Sequence, residues 1–552
     1  MKQSTYVSTL LLNIKNGIAR FVTPFIFSIL IFAVSAYAII AENEDEIIFR
    51  LLLTMGLGIL TSVLFTLIAE YFEIKLRKLF VDGAVLIPVV ICFFALKGFD
   101  DNDYVKMGYA GIMIALFCVA VYFCCKQSDR QLVIPHLVKA VVFSGFVSGI
   151  IEAGLSVCLW AVDTLIYKID DVGKYFGVIA VFIWAILFIN LFLSNVPAKD
   201  TQIRLPKIFR ILTLYAALPV YLLLIFILYL YLGKIAVTLK MPVGQINWFA
   251  SFASLFFIFF LFTIRQYVGE NKLDKLFVKL SGYMIIHVIF VQALAIYERL
   301  NAYGLTTMRY VSVVLNIIAL LFAVFAVIKK TKYIETVFLI AGVVALLATL
   351  TPLNILDFPN SNQENRLKNI LIANNMLENG SIIPKEDVSK EDQIKITSSY
   401  HYVKNSAGKK SDFITQYHQT DFKKVFGFPQ EYESNYRNGD NQTNDKNRYG
   451  HFSYNYNYID IAGYTKLYES DDFKREAKQN ILKFEIGSEK IEYDFSKEIQ
   501  RLYRENGLNA SNTKMIYDIS DRYRLQIKNI DFTVDENDSI KINYANAVIL
   551  EK

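Results

Sequence analysis

The chain has 552 residues, of which 54% are hydrophobic and 20% are charged. Soluble domains are about 45–50% apolar and about 25% charged, so this composition excludes a chain that is soluble throughout. The net charge of +6 comes from residues 1–358, which hold 29 basic and 21 acidic residues, whereas residues 359–552 hold 28 and 30. A basic, apolar region favours loops held against an anionic membrane leaflet and argues against nucleic-acid binding.

Long apolar runs dominate residues 1–358. A helix needs about 20 apolar residues to cross a bilayer, and runs of this kind predict about eleven transmembrane helices. They cover residues 21–40, 47–69, 83–97, 108–125, 140–162, 176–194, 211–232, 247–264, 283–297, 310–328 and 334–352. The short runs 83–97 and 283–297 are also compatible with re-entrant or tilted segments. The predicted fold class is a polytopic α-helical membrane protein with a C-terminal α+β soluble domain.

Basic residues alternate between the loops of this region. Twenty of the 29 lie in the N-terminal segment and in every second loop, whereas two of the intervening loops, 42–46 and 100–103, are acidic. Because basic loops stay in the cytoplasm, we expect a multi-pass protein of the cell membrane with a cytoplasmic N-terminus. Eleven crossings then place the C-terminal domain outside the cytoplasm. Ala36-Tyr37-Ala38 resembles a signal-peptidase site, and cleavage there would leave ten helices without changing the side of that domain.

Residues 359–552 have the composition of a soluble domain, and we place the boundary at residue 358. None of the five cysteines lies beyond this boundary, so no disulfide framework is expected in the domain. A helix is predicted around residues 365–377 and a second, amphipathic helix at 495–505. From Ile396 onward, aromatic and β-branched residues alternate with polar ones, which predicts strands. The clearest strands are residues 454–458, 482–486 and 540–544, and the Asn-rich stretch 437–448 is expected to be a mobile loop.

The run Ala295–Tyr310, AIYERLNAYGLTTMRY, resembles a bacterial membrane family, domain of unknown function 4153. The pattern of that family has an Arg, a Tyr-Gly-Leu-Thr turn and an Arg-Tyr pair, which correspond to Arg299, Tyr303-Gly304-Leu305-Thr306 and Arg309-Tyr310. Supporting elements are Gln363-Glu364-Asn365-Arg366-Leu367, Met241-Pro242-Val243-Gly244 (where the family tends to have Leu in place of Met) and the run Ile459–Tyr464. The resemblance implies a polytopic inner-membrane protein and carries no established reaction.

Polar residues inside the apolar runs form the first candidate site, an intramembrane polar site. Glu152 lies near the middle of its run, where a charge costs about 2.5–3.5 kcal/mol. It is therefore either part of a proton or cation site or a neutral acid hydrogen-bonded between helices. Asn190, His287 and Asn316 complete this candidate site, with interhelical hydrogen bonding as the simpler interpretation of the two asparagines.

A predicted outer loop forms the second candidate site. Its members are Glu298, Arg299, Tyr303, Gly304, Arg309 and Tyr310. Thr306 or Thr307 is expected to cap the helix that follows the turn. Arg309 in the first turn of that helix opposes the helix dipole, so we expect it to have a partner. A carboxylate such as Glu298 and an anionic lipid head group are the two candidates.

The third candidate site follows the last apolar run. Gln363 and Arg366 are three residues apart, so they share one face of a helix just beyond the membrane. This face either binds a lipid phosphate or fixes the C-terminal domain on the helix bundle, and the second interpretation is favoured.

No motif of a known catalytic chemistry is present. Walker, Rossmann, kinase and nucleophile-elbow patterns are missing from the sequence, and His401, His418 and His451 lack the spacing of metal ligands. No cofactor is therefore predicted, and an enzyme is disfavoured. We expect a non-enzymatic role in envelope sensing, assembly or partner binding, with an envelope protein or a small-molecule ligand at the C-terminal domain. The alternative is a transporter or lipid-handling protein with a site near Glu152.

Overall fold

The chain forms two units, Met1–Glu431 and Tyr432–Lys552, and each is described by itself. The computed structural model describes residues 12–74, 82–128, 132–201, 203, 205–238, 246–265, 272–328, 334–417, 420–431, 448–454, 459, 461, 463–468, 474–478, 480–486, 489–506, 508–510, 513–534 and 539–552. Outside these residues lie 437–447 of the predicted loop 437–448, most of the predicted strand 454–458, His418 and the Met241–Gly244 element. The loop prediction was wrong for its last residue, Arg448, which begins a strand.

Apolar helices make up most of the first unit. In chain order the described helices are α1 (Val22–Ala41), α2 (Glu46–Tyr71), α3 (Leu86–Ala95), α4 (Asp103–Gln127), α5 (Val133–Ile166), α6 (Val172–Ser194), α7 (Lys207–Thr238), α8 (Ile246–Arg265), α9 (Lys272–Tyr303), α10 (Thr307–Val327) and α11 (Thr336–Leu350). Three of them contain a π-helical stretch: Val162–Ile166 in α5, Phe182–Phe188 in α6 and Leu212–Ala217 in α7. Within the described residues, eight helices are long and apolar enough to cross a membrane, and α3, α8 and α11 are shorter apolar helices.

Each of the predicted apolar runs overlaps one of these helices, and the membrane-protein class is supported by the eight long ones. The prediction of an apolar helix at 283–297 is confirmed, and this helix is long enough to cross a membrane. This run belongs to α9, which has 32 residues, because the polar residues on both sides of the run continue the helix. The run 83–97 does form a short helix, α3, of 10 residues.

Two apolar cores hold the first unit together. One is built mainly by α2, α4 and the end of α6, around Leu67, Val121 and Cys125. The other is built by α7 to α10, around Phe257 and Val288. Small residues allow close helix packing, which is usual in membrane bundles. At Gly111 of α4, an added Cβ would lie 1.9 Å from the Thr349 hydroxyl of α11.

Four polar helices and a small hairpin complete the first unit. They are α12 (Asp357–Ala373), the hairpin of β1 (Leu377–Glu378) and β2 (Ser381–Ile382), α13 (Lys390–Asn405), α14 (Asp412–Thr415) and α15 (Phe422–Phe426). Their core contains Leu367, Leu371, Ile396 and Tyr400.

The prediction of strands from Ile396 onward was wrong for this first stretch, because it forms the helix α13. Ser389 caps α13 by accepting a hydrogen bond from the Asp392 N–H at 3.2 Å. Ile396, Tyr400 and Val403 are buried at spacings of three and four, which is the helical period. The helix predicted at 365–377 does form, but it begins at Asp357, eight residues earlier, as α12.

The second unit is an α+β structure built on antiparallel strands. Its described elements are β3 (Arg448–Ser453), β4 (Lys466–Tyr468), β5 (Lys474–Lys478), β6 (Ile481–Ile486), β7 (Glu489–Asp494), α16 (Ser496–Asn506), β8 (Asn509–Ala510), β9 (Ile516–Asp518), β10 (Tyr523–Val534) and β11 (Ile540–Glu551). The long strands β10 and β11 pair along their length and lie inside a sheet of order β4-β11-β10-β3-β8, while β5-β6-β7 form a separate sheet. The predicted strands 482–486 and 540–544 and the helix 495–505 are confirmed.

Candidate functional site

Helix α12 carries buried polar residues where a packed helix usually carries apolar ones. Asn360 is fully buried, Gln363 is 2% exposed and Glu364 is 8% exposed. These three residues define the polar face of α12. The next buried residue along this side of the helix, Leu367, is apolar. Because a buried polar group is costly unless it is hydrogen-bonded, each of them needs a defined partner.

Gln363 finds its partners in the loop between α9 and α10, residues 304–306. Its Nε2 donates to the carbonyl oxygen of Tyr303 at 2.7 Å and to that of Leu305 at 3.1 Å. The Leu305 N–H in turn donates to Oδ1 of Asn362 at 2.9 Å. Two neighbouring residues of α12 therefore hold the backbone of the α9–α10 loop on both sides of Gly304.

Gly304 makes this close approach possible. It ends α9 in the left-handed conformation, with φ of +71°, which favours glycine. A Cβ at this position would lie 2.7 Å from Nε2 of Gln363, closer than real contacts allow. The glycine of the predicted outer loop and the glutamine of the predicted juxtamembrane face thus meet in one place.

Two arginines bind carbonyl groups at the same end of α9. Nη1 of Arg309 donates to the Gly304 carbonyl oxygen at 2.6 Å, and its guanidinium lies 5.4 Å from the centre of the Tyr303 ring. Nη2 of Arg366 donates to the Ala302 carbonyl oxygen, and its Nη1 donates to the Ser399 hydroxyl at 3.3 Å. Burial and the positive charge of Arg309 lower the pKa of Arg366. The Gly304 carbonyl is thus one partner of Arg309 in this structure.

The start of α10 is held by α13. The Thr307 N–H donates to the hydroxyl of Tyr402 at 2.9 Å, and the Thr307 hydroxyl donates to the Ile355 carbonyl oxygen at 3.0 Å. Thr306 occupies the N-cap position, but its side chain makes no capping hydrogen bond. The predicted threonine cap was therefore wrong, because the Tyr402 hydroxyl takes this role.

The other members of the predicted outer-loop motif lie around this contact. Glu298 is exposed and Arg299 is half-buried near the end of α9. The Tyr310 hydroxyl donates to the Leu353 carbonyl oxygen at 2.6 Å, which joins α10 to the segment between α11 and α12.

Asp357 anchors the beginning of α12 to α4. It accepts hydrogen bonds from the Tyr104 hydroxyl, from the Lys409 N–H at 2.8 Å and from Nδ2 of Asn354 at 2.9 Å. Burial opposes ionisation, but these hydrogen bonds outweigh it and lower the pKa of Asp357. Asn360 adds a bond from its Nδ2 to the Lys409 carbonyl oxygen at 2.6 Å.

Asp357, Asn360 and Tyr402 were not identified from the sequence. For Asp357 and Asn360 the signal was a series of polar residues spaced three or four apart after the last apolar run. That pattern is normally taken as a solvent-exposed face.

The four residues of the predicted intramembrane site lie apart, and no described contact joins one of them to another. Glu152 accepts a hydrogen bond from Nε1 of Trp184 at 2.9 Å. Asn190 donates to the Ser28 hydroxyl at 3.1 Å, and Nδ1 of His287 lies 3.1 Å from the Tyr229 hydroxyl.

The surroundings of these residues differ as well. Glu152 has exposed neighbours, with Ile151 39% and Leu155 41% exposed, so it lies at the periphery of the bundle. Asn316 is 9% exposed, within α10. Glu152, Asn190 and His287 thus make contacts within three different helix pairs.

Ion pairs at the other ends of the helices were also missed. Arg20 and Glu70 form a bidentate pair with two N–O distances of 2.7 Å. Lys126 at the end of α4 lies 2.8 Å from the fully buried Glu335, which precedes α11. The only sequence signal for these ion pairs is that each charged residue lies next to an apolar run.

Among the described residues, no group of three or more His, Cys, Asp or Glu side chains is arranged to hold a metal ion.

Comparisons with known proteins give one match, which lies within the first unit. Neither the curated proteins nor the solved structures contain a match to the chain. One family model matches residues 26–381, from within α1 to the β1–β2 hairpin, which is more than half of the chain. The matched region contains both the α9–α10 loop and the polar face of α12. The chain therefore belongs to the family described as Domain of unknown function (DUF4153).

Proposed function

We propose that this protein is a multi-pass protein of the bacterial inner membrane that binds a partner outside the cytoplasm and couples this binding to its transmembrane helices. The observation that carries the proposal is the attachment of α12 and α13 to the α9–α10 loop. Gln363 binds both sides of Gly304, and Tyr402 binds the first N–H of α10. A displacement of α12 or α13 is therefore transmitted to α9 and α10, two helices long enough to cross a membrane.

Contacts between loops support eleven crossings. On the predicted outer side, contacts join Glu42 to Lys174, Glu46 to Gly98 and Tyr104 to Asp357. On the predicted inner side, they join Arg20 to Glu70, Glu73 to Lys199 and Lys126 to Glu335. Each of these contacts joins segments that eleven crossings place on the same side.

The short helix α11 is the critical case. It follows Glu335, which pairs with Lys126 at the end of α4, and it leads to Asp357, which binds Tyr104 at the start of α4. Residues 104 and 126 are separated by about 33 Å along a helix axis, and the hydrocarbon core is about 30 Å thick. The segment with α11 thus extends over a full crossing. Counted in this way, the helices after α11 lie on the side opposite to the N-terminus.

Exposed apolar side chains favour a binding role for the polar helices. Ile372 near the end of α12 is 58% exposed, and Ile383 after β2 is 39% exposed. Both isoleucines lie outside the apolar helices, where a contiguous apolar patch would mark a partner-binding surface. Transport through a path near Glu152 receives less support, because Glu152 lies at the periphery of the bundle.

Two experiments test the proposal. C-terminal fusions to alkaline phosphatase and to green fluorescent protein are expected to give an active phosphatase and a dark fluorescent protein. The opposite pattern would contradict the odd number of crossings and the location of the partner.

The second experiment places a photo-reactive amino acid at Ile372 in the full-length chain in living cells. A discrete protein adduct is expected at Ile372 and not at Leu223, a residue of α7 that is 57% exposed on an apolar helix. Equal labelling at both positions, or none at Ile372, would contradict partner binding at this surface.

A further inference from the structure

We propose that Arg309 and Arg366 together bind a phosphate group beside the α9–α10 loop. This inference deepens the proposed function, since it names a ligand for the segment that joins α12 to the transmembrane helices. It rests on the proposed function for one point only, which is that this segment lies at the membrane surface.

The geometry brings the two guanidinium groups together. They donate to the carbonyl oxygens of Ala302 and Gly304, which are two residues apart at the end of α9. A guanidinium has five N–H donors in a planar fork that matches the oxygens of a phosphate. Arg366 uses two of its nitrogens for the Ala302 carbonyl and the Ser399 hydroxyl, so N–H donors remain for a further acceptor.

The local charge is positive from three sources. The two arginines are half-buried, and burial together with the positive charge of Arg309 lowers the pKa of Arg366. The third source is the start of α10 at Thr307, because the N-terminal end of a helix carries a partial positive charge. An anion at this place would relieve the repulsion between the arginines and would also interact favourably with the helix dipole.

The surroundings are those of a membrane surface. Met308 is 67% exposed, Leu353 is 54% exposed and Phe358 is 41% exposed, and all three lie close in sequence to the contacts described above. Tyr310 stacks edge to face with Phe358 at 6.0 Å. Apolar and aromatic side chains next to arginines are typical of the interfacial layer, where the phosphates of lipid head groups lie. A phospholipid head group and free phosphate are the two sources of the ligand.

The test measures binding to the full-length protein purified in detergent. The probes are phosphatidylglycerol, detected as retained lipid by native mass spectrometry, and inorganic phosphate, detected as a rise in melting temperature. The variants are Arg309→Gln with Arg366→Gln, the same pair changed to Lys, and Arg50→Gln as the control. Arg50 is a half-buried arginine of α2 that also donates to a backbone carbonyl oxygen, that of Phe93.

The paired Gln variant is expected to bind at least about tenfold more weakly than the wild type, since charge-assisted hydrogen bonds are lost. The paired Lys variant keeps the charges and loses the planar fork, so its affinity is expected to fall between the two. Arg50→Gln is expected to match the wild type. If the paired Gln variant does not elute as a folded protein, the paired Lys variant is compared with the wild type instead. It is expected to bind the probes more weakly than the wild type.

Selective loss of phosphatidylglycerol identifies a lipid head group, and selective loss of the phosphate effect identifies free phosphate. If neither probe binds the wild type more strongly than the paired Gln variant, the assignment is overturned. Where the Gln variant does not fold, the paired Lys variant takes its place in this comparison. An absent Ile372 adduct together with retained phosphate binding would reject the partner-binding proposal alone.

Discussion

Replacing Gly304 by Ala tests whether the packing of Gln363 against the α9–α10 loop stabilises the fold. The new Cβ would lie 2.7 Å from Nε2 and 2.9 Å from Cδ of Gln363, so the side chain of Gln363 must move. Its movement breaks the hydrogen bonds to the carbonyl oxygens of Tyr303 and Leu305. The alanine must also adopt the left-handed conformation of Gly304, with φ of +71°.

The expected cost has two parts. The left-handed conformation costs a non-glycine residue about 1 kcal/mol. The two hydrogen bonds contribute about 1 kcal/mol each, which adds about 2 kcal/mol. The total loss of unfolding free energy is therefore about 3 kcal/mol.

Gly98→Ala is a matched control for the first part. Gly98 has the same φ of +71°, and a Cβ there meets no atom within 4 Å. Its replacement is expected to cost only the conformational strain of about 1 kcal/mol. The assay is unfolding of the full-length protein in mixed micelles of dodecylmaltoside and sodium dodecyl sulfate, followed by circular dichroism.

A double-mutant cycle completes this test. In a Gln363→Ala background the clash no longer exists, so Gly304→Ala is expected to cost only about 1 kcal/mol. Equal costs for Gly304→Ala and Gly98→Ala, or strictly additive costs of Gly304→Ala and Gln363→Ala, would refute the reasoning.

Three further predictions follow from single contacts. Glu335→Ala leaves Lys126 with an unpaired charge and is expected to cost about 3 kcal/mol, whereas combining it with Lys126→Met should recover most of this loss in the same unfolding assay. Glu152→Gln keeps an acceptor for Trp184 and should change unfolding free energy by less than about 1 kcal/mol, and a larger loss would mean that the ionised carboxylate is needed. Burial, together with nearby positive charge, lowers the pKa of His401. The neutral side chain therefore contributes to the unfolding free energy, and this contribution is fully present above the ordinary histidine pKa. The unfolding free energy should decrease as the pH falls through that value toward the lower pKa of the folded state. His401→Gln should flatten a plot of melting temperature against pH, and an unchanged slope would contradict this assignment.

The apolar helices could be predicted because their signal is local. A run such as 211–232 has no alternative to a buried or membrane-embedded helix, and it lies within α7. The strands β6 and β11 were likewise predicted by their alternation of apolar and polar residues. Ile396 and Tyr400 were ambiguous, because apolar residues at a spacing of four fit a helix and an alternating strand equally well. The N-cap at Ser389 distinguishes the two, and it favours α13.

The candidate site could be predicted only in pieces. Gly304 and Gln363 each stood out in the sequence, but they are 59 positions apart and nothing local indicates that they meet. Asn360 and Glu364 were missed, since polar residues at helical spacing usually face water. Their burial against Ser406 and Ser411 is decided by how the segment after α13 folds back on α12. Such long-range contacts depend on the tertiary structure and leave no periodic signal.

The shortness of α11 has a consequence for the surrounding lipid. Its 15 residues extend over about 22 Å, which is about 8 Å less than the hydrocarbon thickness of a typical bilayer. Because Lys126 and Tyr104 bind the residues that flank α11, this helix cannot easily tilt or slide to adjust independently of α4. The non-helical residues 351–356 must then complete the crossing, and their carbonyl groups need partners that lipid does not offer. Thr307 and Tyr310 of α10 supply two of these partners, at the carbonyl oxygens of Ile355 and Leu353, so α10 shields this end of the segment from lipid.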